Sequence, residues 1–166
     1  MTKTAVIYGS TTGNTKAAAE RIAQLIGDAD IKDIAQSSVE EIAAYSNIIL
    51  GSSTWGYGDV QDDWESVVDS LSAVDLSGKK VALFGTGDQS GYPDTFVDAL
   101  GILYDAVVAS GAEVIGMWSS DGYEFEESKG KKDGMLVGLA LDDDNQAAMT
   151  DDRIEMWVKQ IKPQLL

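Results

Sequence analysis

Three short stretches of the chain concentrate residues able to hold a ligand. The first, Gly9-Ser10-Thr11-Thr12-Gly13-Asn14-Thr15, follows the apolar run Thr4-Ala5-Val6-Ile7-Tyr8 and precedes a helical pattern over 16–26. A strand that passes through a hydroxyl-rich turn into a helix suits a phosphate. The first N–H groups of a helix lack partners and carry a partial positive charge, so an anion there gains hydrogen bonds and a favourable dipole. Ser10, Thr11, Thr12 and Thr15 add hydroxyl donors, and the segment has no cation. Triphosphate loops of the G-x-x-x-x-G-K-[ST] type place a Lys on the phosphates. The pattern therefore suits a terminal phosphate held by neutral donors better than a triphosphate to be cleaved. An ordinary helix cap beside a Gly13-Asn14 turn accounts for the same residues, and this loop alone does not separate the two.

The second and third stretches are Gly51-Ser52-Ser53-Thr54-Trp55-Gly56-Tyr57-Gly58-Asp59, after an apolar run at 47–50, and Gly85-Thr86-Gly87-Asp88-Gln89-Ser90-Gly91-Tyr92-Pro93, after one at 81–84. Both set an aromatic among glycines. Such a residue has little local packing, so it either meets a flat ligand or folds back as an anchor on the core. For either aromatic alone the anchor is the better account. Two such loops beside a phosphate loop instead describe a site for a flat, phosphorylated cofactor, with Asp88 and the backbone amides around Gln89 placed to read the polar edge of a ring. Gly85-Thr86-Gly87 is not a G-x-G-x-x-G fingerprint, because the next Gly is at 91, and no dinucleotide site is implied.

Composition removes many other chemistries. The chain has neither Cys nor His, which excludes thiolate nucleophiles, Cys-ligated clusters, disulfides and every triad that needs an imidazole. Redox or transfer chemistry then falls to an organic cofactor, with the protein supplying position and field. The net charge of −16 is uneven: residues 1–55 hold 4 Lys/Arg against 6 Asp/Glu, and residues 56–166 hold 8 against 22. Nucleic-acid binding is not expected, since phosphate contacts need Lys and Arg. A one-sided acidic field can steer a basic protein partner. At 166 residues one domain is expected, over 1–166. With no run of about 18 apolar residues and no signal-peptide pattern, a cytoplasmic monomer without membrane contact is expected.

The elements that must position these loops are also legible. Apolar runs lie at 4–8, 47–50, 81–84 and 113–118, with a weaker one at 29–34. Between them Trp64, Val67, Val68 and Leu71 recur with helical spacing, as do Leu100, Leu103, Tyr104 and Val107, and Ile154, Trp157, Val158 and Ile161. Continuous apolar strands alternating with amphipathic helices imply an α/β, doubly wound fold, a parallel sheet covered on both faces. Ligands of such sheets bind beyond the carboxyl ends of the strands, at the switch point of the strand order, where all three loops would converge. Residues 119–149 break the rhythm, with a polar stretch at 122–129 and a strand-like run at 135–141; they predict an excursion that interrupts or extends the last strand.

With these motifs in place, the sequence resembles the flavodoxin family, small electron carriers that bind FMN non-covalently, and it does so over essentially the whole chain. The resemblance implies a three-layer flavodoxin-like sandwich with a five-stranded parallel sheet of order 2-1-3-4-5. It also implies an insertion at about 122–144, as in the long-chain branch. It implies FMN contacts from Ser10, Thr11, Thr12, Gly13, Asn14 and Thr15 at the phosphate, and from Ser53, Thr54, Trp55, Gly56, Tyr57 and Gly58 in the second loop. The third loop would supply Thr86, Gly87, Asp88, Gln89, Gly91 and Tyr92. Trp55 and Tyr92 would cover the two ring faces, Asp88 would meet the pyrimidine edge, and Asp144 would reach the ribityl chain. The implied activity is that of a low-potential one-electron carrier rather than an enzyme. It would shuttle FMN between semiquinone and hydroquinone and pass electrons between redox protein partners that are basic where they dock. In the family pattern a loop carbonyl turns to accept a flavin proton, and Gly56 occupies that position.

Three rivals are weighed against this. An FMN-dependent NAD(P)H:quinone reductase would need a nicotinamide pocket, for which the chain offers no obvious basic residues. A phosphorelay receiver domain needs an acceptor Asp after the third strand, where the sequence reads Leu50-Gly51-Ser52-Ser53. A binding module that has kept the fold but not the redox chemistry stays open, though retention of both aromatic loops argues against it.

Overall fold

A computed structural model of the chain describes residues 3–10, 13–55 and 58–166. In chain order, β1 (Thr4–Gly9) leads through the first loop to α1 (Asn14–Ile26), and β2 (Asp30–Asp33) to a short α2 (Val39–Ala43). Then come β3 (Asn47–Trp55), β4 (Asp59–Val60), α3 (Asp62–Glu65), α4 (Val68–Ala73), β5 (Lys80–Thr86) and α5 (Asp98–Ala109). The last third holds β6 (Glu113–Ile115), β7 (Trp118–Ser119), β8 (Lys131–Lys132), β9 (Met135–Leu136), β10 (Leu139–Leu141) and α6 (Thr150–Ile161).

The main sheet runs β10-β5-β3-β1-β2, with every neighbouring pair parallel. Because side chains alternate across a strand, each central strand feeds two cores. Ala5, Ile7, Ile48, Leu50, Val81 and Leu83 pack on one face with Trp64, Leu71, Leu100, Leu103 and Val107. Val6, Tyr8, Ile49, Ala82 and Phe84 pack on the other with Ala19, Ile22, Ile154, Trp157 and Val158. Helices α3, α4 and α5 therefore cover one face and α1 and α6 the other, the three-layer arrangement expected of continuous apolar strands. The order reverses between β1 and β3, so the loops after these two strands open side by side at the carboxyl edge.

The fifth strand is divided. β6 pairs with 80–82 of β5 and β10 with 84–86 of the same strand, so two pieces share one edge. Between them the chain leaves to build a separate antiparallel sheet, β7-β9-β8. This corrects the expected limits of the insertion: the chain departs after Ile115 and has returned by Leu139, and residues 142–144 are the loop beyond a sheet strand. The run at 135–141 reads as one strand because its residues from Leu136 to Leu141 are all buried, yet β9 and β10 belong to different sheets.

Two other boundaries move. Strand β3 continues past Leu50 to Trp55, since Ser52 and Ser53 pair with Gly85 and Thr86 and Thr54 and Trp55 pair antiparallel with Val60 and Asp59. Much of the second "loop" is thus strand. The spacing of Trp64, Val67, Val68 and Leu71 belongs to two short helices rather than one. The Val67 N–H bonds back three residues to the Trp64 carbonyl at 2.9 Å, a tighter turn that ends α3 before α4 begins.

Candidate functional site

At the end of β1 the chain turns at Gly13, which sits at the head of α1 with φ of 98°. That left-handed conformation favours Gly over any residue with a Cβ. The Gly13 N–H donates to Ser10 Oγ at 3.1 Å, and the first bond of the helix runs from Ala17 N–H to the Gly13 carbonyl at 2.9 Å. Gly13 has no side chain to cap the helix, and the first turn holds no acidic residue. An ordinary cap would have placed a side-chain oxygen on those N–H groups; among the described residues the cap position, a Gly, supplies none. Thr15 is turned inward. Its hydroxyl meets that of Thr86 at 3.1 Å, both side chains being buried, so the phosphate loop and the third loop are bonded directly.

Strand β3 delivers Trp55 to the rim, where its indole N–H donates to Ser53 Oγ at 2.7 Å. Thr54 Oγ1 faces α5 and accepts the Ala99 N–H at 3.0 Å. Gly58 closes the turn back to β4 by donating to the Trp55 carbonyl at 3.1 Å.

The third loop is a compact turn built on Asp88. Its Oδ1 accepts the Gly91 N–H at 2.8 Å, the Ser90 N–H at 3.1 Å and Asn145 Nδ2 at 2.7 Å. These bonds, that from Gly91 foremost, hold the Asp88 carboxyl below its ordinary range. A Cβ on Gly91 would come within 2.5 Å of Asp88 Oδ2, so a larger residue there would push that carboxylate aside.

Asn14, Ser53, Thr54, Trp55, Thr86, Gly87, Asp88, Tyr92, Asp143 and Asp144 line a single cleft of about 360 Å³ where these loops meet. Trp55 is 39% exposed and Tyr92 51%. Core anchors would be buried, so the anchor account fails for both, and two aromatic side chains stand open to a ligand. No Lys or Arg lines the cleft; an anion bound there must rely on hydroxyls and backbone N–H groups. Asp88, Asp143 and Asp144 supply a negative rim. Loss of hydration, then repulsion from Asp88, Asp142 and Asp143, pushes the Asp144 carboxyl above its ordinary value. Open aromatic faces, a helix start without a side-chain cap and neutral donors fit a flat cofactor that ends in a phosphate. A larger, more open groove of about 660 Å³ lies over α1 beside Lys16 and Arg21; it shares no lining residue with the cleft and has no exposed aromatic wall.

Most of the residues singled out from the sequence are thus brought together. Ser10 and Gly13 form the turn beside Asn14, Thr15 backs Thr86, and Gly91 shapes the Asp88 turn. Thr11, Thr12, Gly56 and Tyr57 lie outside the described residues. Gln89 is placed differently from expectation. Its backbone N–H and Nε2 both donate to Asp142 Oδ2, at 3.1 and 2.7 Å, and its Oε1 accepts the Glu124 N–H; it is buried behind the cleft. Sequence reading missed Asp143 as a lining residue and Asp142 and Asn145 as the groups behind the third loop. The available signal was a triple Asp followed by Asn after the apolar run at 135–141.

The flavodoxin family's sequence profile matches residues 6–157. A flavodoxin of Synechocystis sp. is 47% identical to this chain, covering 98% of each protein. Flavodoxin 1 of Escherichia coli is 46% identical, covering 99% of this chain and 96% of its own length. The crystal structure of a Fusobacterium nucleatum flavodoxin bound to flavin mononucleotide superposes with a TM-score of 0.95 at 31% identity, covering 100% of both chains.

Proposed function

Because the chain belongs to the flavodoxin family, we propose that its cleft holds FMN non-covalently and that the protein carries electrons one at a time between redox protein partners. It is an electron carrier and not an autonomous enzyme. The observation that carries this reading is the pair of exposed aromatics, Trp55 and Tyr92, on one cation-free cleft beside the start of α1. When bound, FMN supplies the one-electron chemistry; the protein supplies position, dryness and field.

The start of α1, with Ser10, Gly13 and Asn14, would hold the phosphate through neutral donors. Of the Thr15–Thr86 hydroxyl pair, one proton is spent between the two oxygens, and the other hydroxyl keeps a proton to offer. Trp55 and Tyr92 would wall the ring and exclude water from its faces. Asp88 would approach the ring edge with Oδ2, since its Oδ1 is engaged within the loop. Asp144 would meet the sugar chain. The rim of Asp88, Asp143 and Asp144, with Trp55 paired across the hairpin to Asp59, disfavours added negative charge on a ligand within reach. That field supports a low potential for the fully reduced state.

The exposed acids Asp59, Asp62 and Glu65 beside the second loop support docking by a partner with a basic face, and the absence of cations from the cleft speaks against a nicotinamide dinucleotide substrate. A monomeric, one-domain cytoplasmic protein completes the proposal; among the described residues no helix is long and apolar enough to cross a membrane. The test is the visible spectrum of the purified protein during stepwise reduction, with and without added FMN. Flavin bands that bleach in two one-electron stages are expected. A colourless protein that takes up no FMN would overturn the assignment.

A further inference from the structure

We propose that Asp142 and Asn145 form a latch that fixes the 88–92 loop before any cofactor arrives, which makes Asp142 a positioning residue for the ring end of the site. The proposal rests on the FMN reading above.

Asp142 stands at the end of β10 and is completely buried, and none of the four ion pairs among the described residues includes it. A buried carboxyl without a cation is costly unless each oxygen is hydrogen-bonded. Here both oxygens are served by neutral donors. Oδ2 accepts the Gln89 N–H at 3.1 Å, Gln89 Nε2 at 2.7 Å and Asn145 Nδ2 at 2.9 Å. Oδ1 accepts the Asn145 N–H at 3.0 Å and its Nδ2 at 3.1 Å. The same Asn145 amide nitrogen reaches on to Asp88 Oδ1 at 2.7 Å.

One residue earlier, the Gly87 N–H donates to the Leu141 carbonyl at 3.0 Å. Residues 87 and 89 are therefore both tied to the end of β10, and Asp88, between them, is held by its side chain through Asn145. Tyr92 follows on the same turn, its N–H donating to the Asp88 carbonyl at 2.9 Å. The placement of the loop that carries Asp88 and Tyr92 thus depends, beside its own internal bonds, on a buried carboxyl that lines no part of the cleft. An isosteric amide cannot replace it, because Asn presents one acceptor and one donor where two acceptors are used. A half-satisfied buried network is weaker than its count of bonds suggests.

The test uses the full chain freed of cofactor, as wild type, Asp142→Asn and Asn145→Ala. Amide hydrogen exchange is followed at Gln89, Ser90 and Gly91, and binding of FMN, riboflavin and inorganic phosphate is titrated. In both variants exchange at the three amides should accelerate. Affinity for FMN and for riboflavin should fall by the same factor, roughly tenfold, with phosphate binding unchanged, because the defect lies at the ring end. Where Asp142→Asn costs the fold, Asn145→Ala carries the test, since Asn145 is exposed. Wild-type exchange and wild-type affinities in a folded variant would overturn the latch, as would loss of FMN affinity with riboflavin affinity intact. Wild-type protein that binds neither flavin would overturn the cofactor reading and the latch with it.

Discussion

Replacing Tyr92 by Ala separates a ligand wall from a structural anchor. A Tyr side chain buries about 150–250 Å² when fully covered, and Tyr92 is 51% exposed, so on the order of 100 Å² remains to be covered by a ligand. If a flat ring covers half of that area, the transfer contribution is about 1.2 kcal/mol at about 25 cal/mol per Å². Aromatic stacking adds about 0.5–1.5 kcal/mol. The sum, about 2 kcal/mol, corresponds to a roughly 30-fold weaker Kd for FMN. The stability of the cofactor-free protein should fall as well, by about 1–2 kcal/mol, because the half of the side chain already covered is lost with the ring, while the turn itself stays held by the backbone N–H of residue 92. The assay is a fluorescence titration of cofactor-free protein with FMN, run beside urea unfolding of the same sample; Tyr92→Phe, which keeps the ring, should bind within about twofold of wild type. An Ala variant that stays folded and binds FMN within twofold of wild type would refute the reasoning.

Other outcomes follow from the same geometry. Electron transfer to a basic redox partner should slow steeply as ionic strength rises, as the acidity of residues 56–166 implies; a stopped-flow rate independent of salt would leave that acidity without a docking role. Burial foremost raises the Asp98 carboxyl above 3.8, Glu127 adding to it while the Lys129 N–H and ammonium oppose it. Its contribution to stability is then complete below about pH 3.8 and is lost as pH rises through the folded value. Asp98→Asn should remove that descending limb from urea unfolding measured against pH, and an unchanged profile would refute it. Trp64 is fully buried and donates to the Gly51 carbonyl at 2.7 Å; Trp64→Phe should cost about 2 kcal/mol of unfolding free energy through the lost bond and the void left behind.

The layered fold was legible because strands such as 4–8 and 81–84 are apolar on both faces, which only a sheet covered on both sides demands. The pattern at 154, 157, 158 and 161 was equally direct, and all four side chains are buried against one core. The break between α3 and α4 was not legible, because the two short helices bury Trp64 and Leu71 in the same core and keep the spacing of one. The division of the fifth strand was hidden for a similar reason: buried residues of β9 and β10 read as one run, and nothing local records that they pair in different sheets. At the site, residue types announced the aromatics and hydroxyls. The roles of Gln89 and Asp142 depend on contacts 53 positions apart in the chain, which no local pattern encodes.

The division of the fifth strand also bears on how the molecule avoids others of its kind. A long, flat edge strand offers unpaired N–H and C=O groups to any neighbouring chain and so templates aggregation. At one edge of this sheet lies β2, four residues long, alternating Asp30, Ile31, Lys32 and Asp33, so that its one exposed apolar side chain is flanked by charges. At the other edge β6 and β10 contribute three residues each, and the chain leaves the sheet between them. Neither side offers a continuous ladder of usual strand length. With or without a cofactor in the cleft, the main sheet thus presents no long flat edge to a neighbouring chain on either side.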